Sequence, residues 1–300
     1  VKPRRRILPL LLGLWVALQT VAQTTNGVSP SPHPTRHCLW EVQGSNTVYL
    51  LGSLHVMKPD LYPLAPALEA AYAQAGIVGF ETDLETLKDP AMTMKLMQAG
   101  MYSGTDTLKN HLPAATHALI VSHLESAVGS AAPFEKFKPW MVAVTMLEME
   151  LMQLGYHPEQ GLDLYFSRRA RHDYKPVIAL ETPELQIQLL AGLGELDGTQ
   201  FLQQTLLELK TLKTDFDTLT GAWRTGDLAA LERLLHESFA PYPRLRDRFL
   251  TDRNRAWIPE LEKLLRGTTN ALVVVGAGHL VGTNSVVDLL KARGYRVQQR

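Results

Sequence analysis

The amino-acid sequence predicts an α/β fold with a mainly parallel central sheet, and three observations predict it. Four short β-leaning runs are apolar along their whole length rather than at alternate positions: 47–51 (TVYLL), 77–80 (IVGF), 176–180 (PVIAL) and 271–275 (ALVVV). Runs of this kind suit strands covered on both faces, as in parallel sheets. Each run ends abruptly in a polar residue, two in Gly-x-x-His turns (GSLH at 52–55 and GAGH at 276–279) and two in glutamates, Glu81 and Glu181. The two Gly-x-x-His turns each open a unit of strand, helix and strand, and the units enclose a long helical stretch.

From the beginning of the chain, Lys2, Arg4, Arg5 and Arg6 precede an apolar run at 7–21, and TVA at 20–22 offers a small-residue cleavage site. That order reads as a secretory signal peptide over 1–22, hence a periplasmic or secreted protein with no membrane span after its removal. Residues 23–36 (QTTNGVSPSPHPTR) have no apolar period and read as a flexible leader. The remainder, 37–300, reads as one α/β domain. Loss of four basic residues from a chain of net charge +0 leaves the mature protein near −4, which argues against nucleic acid as a partner. Cys38 is the only cysteine, so neither an internal disulfide nor a thiolate metal cluster is available. Any metal has to be held by His, Asp and Glu.

The first unit continues from GSLH into helical spacing at 63–75, a stop at Gly76 and the run ending in Glu81. The second continues from GAGH into a helix at 285–293, a stop at Gly294 and a short strand at 295–297. Between them, about 85–265 reads as a largely helical insert interrupted by the strand at 176–180. Helices are expected at 139–154, 161–170, from Thr182 towards Leu212, at 227–235 and at 259–265. Thr182 is a good N-cap, with Pro183 behind it. Met94, Met97, Met101, Met141, Met146, Met149 and Met152 fall on this insert and read as core filling.

In a parallel sheet, ligands bind beyond the carboxyl ends of the strands, which is where His55, Glu81, Glu181 and His279 fall. The glycine of each Gly-x-x-His lets the backbone turn sharply at the strand end. A neutral imidazole there suits Zn, Mn, Fe or Co, or serves as a general base. Glu81 is a candidate ligand or base towards water, with Asp83 beside it as the runner-up. Glu181 is suited to orienting a ligand or pairing with an arginine. Arg253 and Asn254, in a charged stretch before a helix, are suited to a substrate carboxylate or an oxyanion, although on sequence alone a solvated charged helix face is the better reading of them. Lys138 stands either at a site mouth or at a helix start with a packed Trp140. No Gly-x-Ser-x-Gly elbow, His-Glu-x-x-His helix or phosphate loop is present.

Taken in order, LWEVQGSNTVYLLGSLHVMKPDLYPL, FETD, KPW at 138–140, GLDLYF at 161–166, ALET at 179–182, DRN at 252–254 and VVVGAGHLVG…LLKARGYRV resemble the TraB/GumN family. That family includes the Tiki membrane proteases and is related to the erythromycin-esterase and ChaN-like proteins. The resemblance runs over about 39–298. It implies a related α/β fold in which His55, His279 and Glu81 hold a divalent metal (Mn, Co or Zn), with Glu81, Glu181, Arg253 and Asn254 as catalytic or supporting groups. The function so implied is an exported metal-dependent hydrolase, most simply a peptidase, acting on a peptide or small molecule. A metal- or haem-binding protein of ChaN-like type and a metal-free, esterase-like hydrolase are the alternatives. The departure is in context, since Tiki proteins are membrane-anchored and this chain reads as released.

Overall fold

A computed structural model describes residues 36–300. The expected signal peptide at 1–22, and the expected leader up to residue 35, lie outside the described residues. The strands are β1 (Leu39–Gln43), β2 (Thr47–Ser53), β3 (Ile77–Thr82), β4 (Val177–Glu181), β5 (Ala271–Gly276) and β6 (Arg296–Gln299). The helices are α1 (Pro66–Gln74), α2 (Pro90–Gly100), α3 (Ala114–Val128), α4 (Pro139–Gln153), α5 (Leu162–His172), α6 (Pro183–Ala191), α7 (Glu195–Glu208), α8 (Leu212–Thr225), α9 (Leu228–Phe239), α10 (Pro243–Arg246), α11 (Asp252–Arg266) and α12 (Val286–Ala292).

The strands form one six-stranded mixed sheet in the order β4-β3-β5-β2-β1-β6. β4, β3, β5 and β2 run parallel, and β1 is antiparallel to both of its neighbours. The apolar runs behave as their composition requires in the middle of the sheet, where β2, β3 and β5 are buried along almost their whole length. β4 is an edge strand and is only partly covered.

The two strand–helix–strand units share the sheet but are not equivalent. β2–α1–β3 steps over β5, whereas β5–α12–β6 steps over β2 and β1. The cause is β1, a strand the apolar-run criterion does not detect because LWEVQ alternates in burial. It folds back on β2 as a hairpin and takes the place next to it, so β6 has only the edge beyond β1 to join.

Two helix pairs cover the strands. α1 and α5 are joined by the Tyr72–Phe166 ring contact and by an ion pair between Glu69 and Arg169. α11 and α12 pack on each other, with α11 also against β2 and β4. The methionines divide: Met141 and Met146 are buried on α4, while Met94 is 62% exposed. Among the described residues, no helix is long and apolar enough to cross a membrane.

Sequence and structure differ at α11. The charged stretch expected to precede a helix at 259–265 is the first turn of that helix, which continues through Pro259. Asn254, Trp257, Ile258, Leu261 and Leu265 recur at helical spacing and are buried. This stripe carries Arg253 and Asn254 inward instead of leaving them solvated.

Candidate active site

Because β2, β3, β4 and β5 are parallel, their carboxyl ends lie along one edge of the sheet. His55 follows the end of β2, Glu81 lies near the end of β3, Glu181 ends β4 and His279 follows β5. Gly276 is where three of them converge. A Cβ added there would lie 3.2 Å from Oε1 of Glu81, 3.3 Å from Nε2 of His55 and 3.6 Å from Cδ2 of His279. Gly276 has an ordinary φ of −51°, so this glycine is needed for close approach and not for a special turn. Gly52 serves similarly, since its Cβ would meet Sγ of Cys38. Gly76 is also a packing glycine, pressed against Thr269, whereas Gly294 has a left-handed φ of +87° after α12.

Arg253, on α11, binds the centre of the site, and a π-helical turn at Asp247–Thr251 leads into its helix. Its Nη2 donates to Oε2 of Glu81 at 2.6 Å and to Oε2 of Glu181 at 2.9 Å, and its Nε donates to Oε1 of Glu181 at 2.8 Å. Its Nη1 donates to the Phe249 carbonyl at 3.2 Å and to Nε2 of His279 at 3.1 Å. These contacts use all five N–H donors of a guanidinium. Glu81 also accepts from the Gly276 N–H at 2.7 Å, and Glu181 accepts from the Trp257 indole at 2.8 Å.

This network fixes the state of His279. A guanidinium only donates, so Nε2 of His279 must be an unprotonated acceptor. The proton therefore sits on Nδ1, which lies 2.6 Å from Oδ1 of Asn254. The Asn254 amide is oriented in turn by its Nδ2, which donates to the Asn284 carbonyl at 2.9 Å. Burial, with the Arg253 charge acting in the same direction against the attraction of Glu81, holds the His279 pKa down at about 3. The 3.7 Å separation of His279 from Glu81 is thus not an ion pair. Burial alone would raise the Glu81 carboxyl, but Arg253 and the Gly276 N–H are among the partners that bring it down to about 2.

His55 stands differently. Its side chain is 19% exposed, against 1% for His279. Its Nδ1 lies 3.0 Å from Oδ2 of Asp163, the second residue of α5. Burial opposes the charged imidazole, but the adjacent Asp163 outweighs it and raises the His55 pKa to about 9. Its Nε2 is buried without a hydrogen-bond partner, as are Oδ1 of Asp163 and Oγ1 of Thr82. His55, Thr82, Asp163, Glu81 and Gln186 line a cavity of about 20 Å³, room for about one water.

Asp163 is the residue the sequence reading missed, although GLDLYF was among the motifs. Gly161 packs so closely on His55 that a Cβ would lie 2.2 Å from the His55 carbonyl oxygen. The Leu162 N–H donates to the Leu54 carbonyl at 3.2 Å, which docks the start of α5 on the GSLH turn. A glycine followed by an acid at a helix start was the available signal. It is also an ordinary helix start, and nothing in the sequence ties it to His55.

The other expected residues separate. Glu81, Glu181, Arg253, Asn254 and His279 are one connected network, with His55 beside it. Arg253 has no donor left for an oxyanion, and Asn254 is buried and engaged with His279 and Asn284. Asp83 caps the turn at Thr86 and faces Arg171. Lys138 begins α4 and donates to the Ala99 carbonyl, the helix-start reading.

The expected metal set of His55, His279 and Glu81 does not fit these side chains. Both nitrogens of His279 are engaged, and the Arg253 guanidinium is bonded to both it and Glu81. Among the described residues, no group of three or more His, Cys, Asp or Glu is arranged to hold a metal ion.

The family model of the TraB/PrgY/gumN family matches residues 38–299. The chain belongs to the TraB/PrgY/gumN family. It is 25% identical over 250 residues to the uncharacterized protein YbaP of Escherichia coli (strain K12), covering 83% of this chain and 89% of that one. It is 22% identical over 351 residues to metalloprotease TIKI1 of Homo sapiens, covering 95% of this chain and 68% of that protein. The Xenopus tropicalis TIKI1 is 24% identical over 310 residues, and there the match spans only 60% of the relative's length. No solved structure matches this member of the TraB/PrgY/gumN family. The likeness to the TIKI metalloproteases is distant.

Proposed function

We propose that this chain is a hydrolase of a peptide or related acyl bond, with Nε2 of His55 as the group that handles the attacking water. The observation that carries the reading is the pairing of an oriented and an unpartnered nitrogen on one ring. Nδ1 is held by Asp163, and Nε2 is unpartnered on a ring that lines a water-sized cavity. An imidazole so oriented takes a proton from water at Nε2 as the carbonyl is attacked, and returns it to the leaving group. Asp163 stabilises the imidazolium formed in between. The Glu81–Arg253–Glu181 network forms a rigid floor beneath it, with Glu81 at the cavity wall.

The likeness to the TIKI metalloproteases supports the peptidase class. The leader-like sequence at 1–22 supports action in the periplasm or outside the cell. The mode proposed is the metal-free one, akin to that of the erythromycin-esterase proteins to which the family is related. Dependence on Mn, Co or Zn is the second reading, favoured by the name of those relatives. A haem-carrying role would need far more space than the cavity beside His55 offers.

Purified protein treated with a chelator and assayed on a panel of peptides and esters tests this reading. Turnover that survives chelation and disappears in His55→Ala is the expected result. Turnover unchanged in a folded His55→Ala variant overturns the reading, and turnover restored only by added metal favours the second one.

A further inference from the structure

We infer that the guanidinium of Arg253 is the resident cation of this site, standing where an ion ligated by Glu81, Glu181 and His279 would have to sit. Two carboxylates and an imidazole nitrogen converging from three strand ends are a donor set suited to a divalent ion. Here all three point at one side chain. Nη2 lies 2.6 Å from Glu81 and 2.9 Å from Glu181, and Nη1 lies 3.1 Å from Nε2 of His279. Zinc would need roughly 2.0–2.2 Å to the same atoms. An ion and the guanidinium cannot both occupy that space, and two cations in a buried pocket would repel.

The surroundings hold Arg253 there. The Phe249 carbonyl accepts a hydrogen bond from its Nη1, and the guanidinium carbon lies 5.0 Å from the centre of the Trp257 ring. Trp257 also binds Glu181 and contacts the His279 ring, with centroids 4.4 Å apart. Asn254 keeps the His279 proton on Nδ1, leaving Nε2 to accept from Arg253. His279 and Asn254 are therefore positioning residues for the arginine. In this arrangement His279 does not ligate a metal, and any ion taken up by the chain binds without it. The inference is independent of the hydrolase reading, because its test reads tautomer and metal uptake rather than turnover.

The test has two arms. In chelator-treated full-length protein with 15N-labelled histidine, His279 is expected as a neutral Nδ1–H imidazole whose resonances do not move when equimolar Zn2+ is added. In Arg253→Met the carboxylates and imidazole lose their cation. That variant is expected to take up a stoichiometric Zn2+ with a rise in Tm that the wild type does not show. Coordination shifts on His279 in the wild type overturn the inference. So does a folded Arg253→Met variant that gains no uptake. Should Arg253→Met fail to fold, the wild-type spectrum decides alone.

Discussion

Nδ1 of His55 lies 3.0 Å from Oδ2 of Asp163, a residue 108 positions further along the chain. The pair joins the end of β2 to the start of α5 and leaves Nε2 unpartnered on a ring that lines the cavity. With its pKa raised to about 9, His55 is mainly protonated at neutral pH. Activity that needs the free base should therefore rise with pH by about tenfold per unit and level off above the raised pKa. Asp163→Asn removes the charge responsible, so the rise should move to lower pH while the plateau falls by about 10²-fold or more. A pH profile of kcat/KM checks both, and an unmoved rise would separate Asp163 from His55.

His55→Ala should abolish turnover and leave the fold in place, because the side chain is partly exposed and outside the Arg253 network. Its stability cost should be about 1–3 kcal/mol, the cost of leaving the buried Asp163 without its donor. Urea unfolding beside the activity assay checks it.

Glu181→Gln should behave in the opposite way, with a large loss of stability. Glu181 accepts twice from Arg253 and once from Trp257 while buried. Arg253 keeps Glu81 as its counter-charge, so the cost is that of weakening the two charged hydrogen bonds to Glu181, about 1.5–3 kcal/mol for each. Trp257→Phe removes one of these bonds without touching the charges and should cost about 1 kcal/mol from the hydrogen bond. If the two variants unfold at the same urea concentration, the charge network is not what secures this end of the sheet.

Gly276→Ala should damage the site directly. The new methyl would press on Glu81 and His55 at once. The expected cost is about 1–3 kcal/mol of stability from overpacking, with near-complete loss of turnover. Gly161→Ala should be worse for the fold, since its methyl meets the His55 backbone carbonyl rather than side chains that can yield.

Three shifted groups of the site contribute to the pH dependence of stability. His55 has a folded pKa raised from 6.5 to about 9, so its contribution is complete below 6.5 and is lost as pH rises through 9. His279 is depressed to about 3, so the unfolded chain takes up its proton first and stability falls as pH drops below 6.5. Glu81, depressed to about 2, adds a further loss as pH falls below 4.5. These groups together place maximal stability near the ordinary histidine pKa. His279→Gln should flatten the acid limb between 6.5 and 4.5, where its slope approaches about 1.4 kcal/mol per pH unit. Unfolding curves across that range measure it, and an unchanged slope would mean that His279 is not buried in its neutral form.

The sequence by itself determined the features that depend on neighbours along the chain. Uniformly apolar runs gave β2, β3 and β5 their place inside a mainly parallel sheet. Parallel strands then carry His55, Glu81, Glu181 and His279 to one edge, whatever the helices do. Tertiary structure alone decided what those residues meet. β1 alternates in burial and becomes a strand because a hairpin pairs it with β2. Arg253 looks like part of a charged surface until the stripe through Trp257, Leu261 and Leu265 turns it inward. Asp163 reads as an ordinary helix-start acid until Gly161 docks on His55. A hydrogen-bond partner more than a hundred residues away leaves no periodicity to read. The state of each of these two histidines is fixed by partners on other elements: Asp163 for His55, and Arg253 with Asn254 for His279.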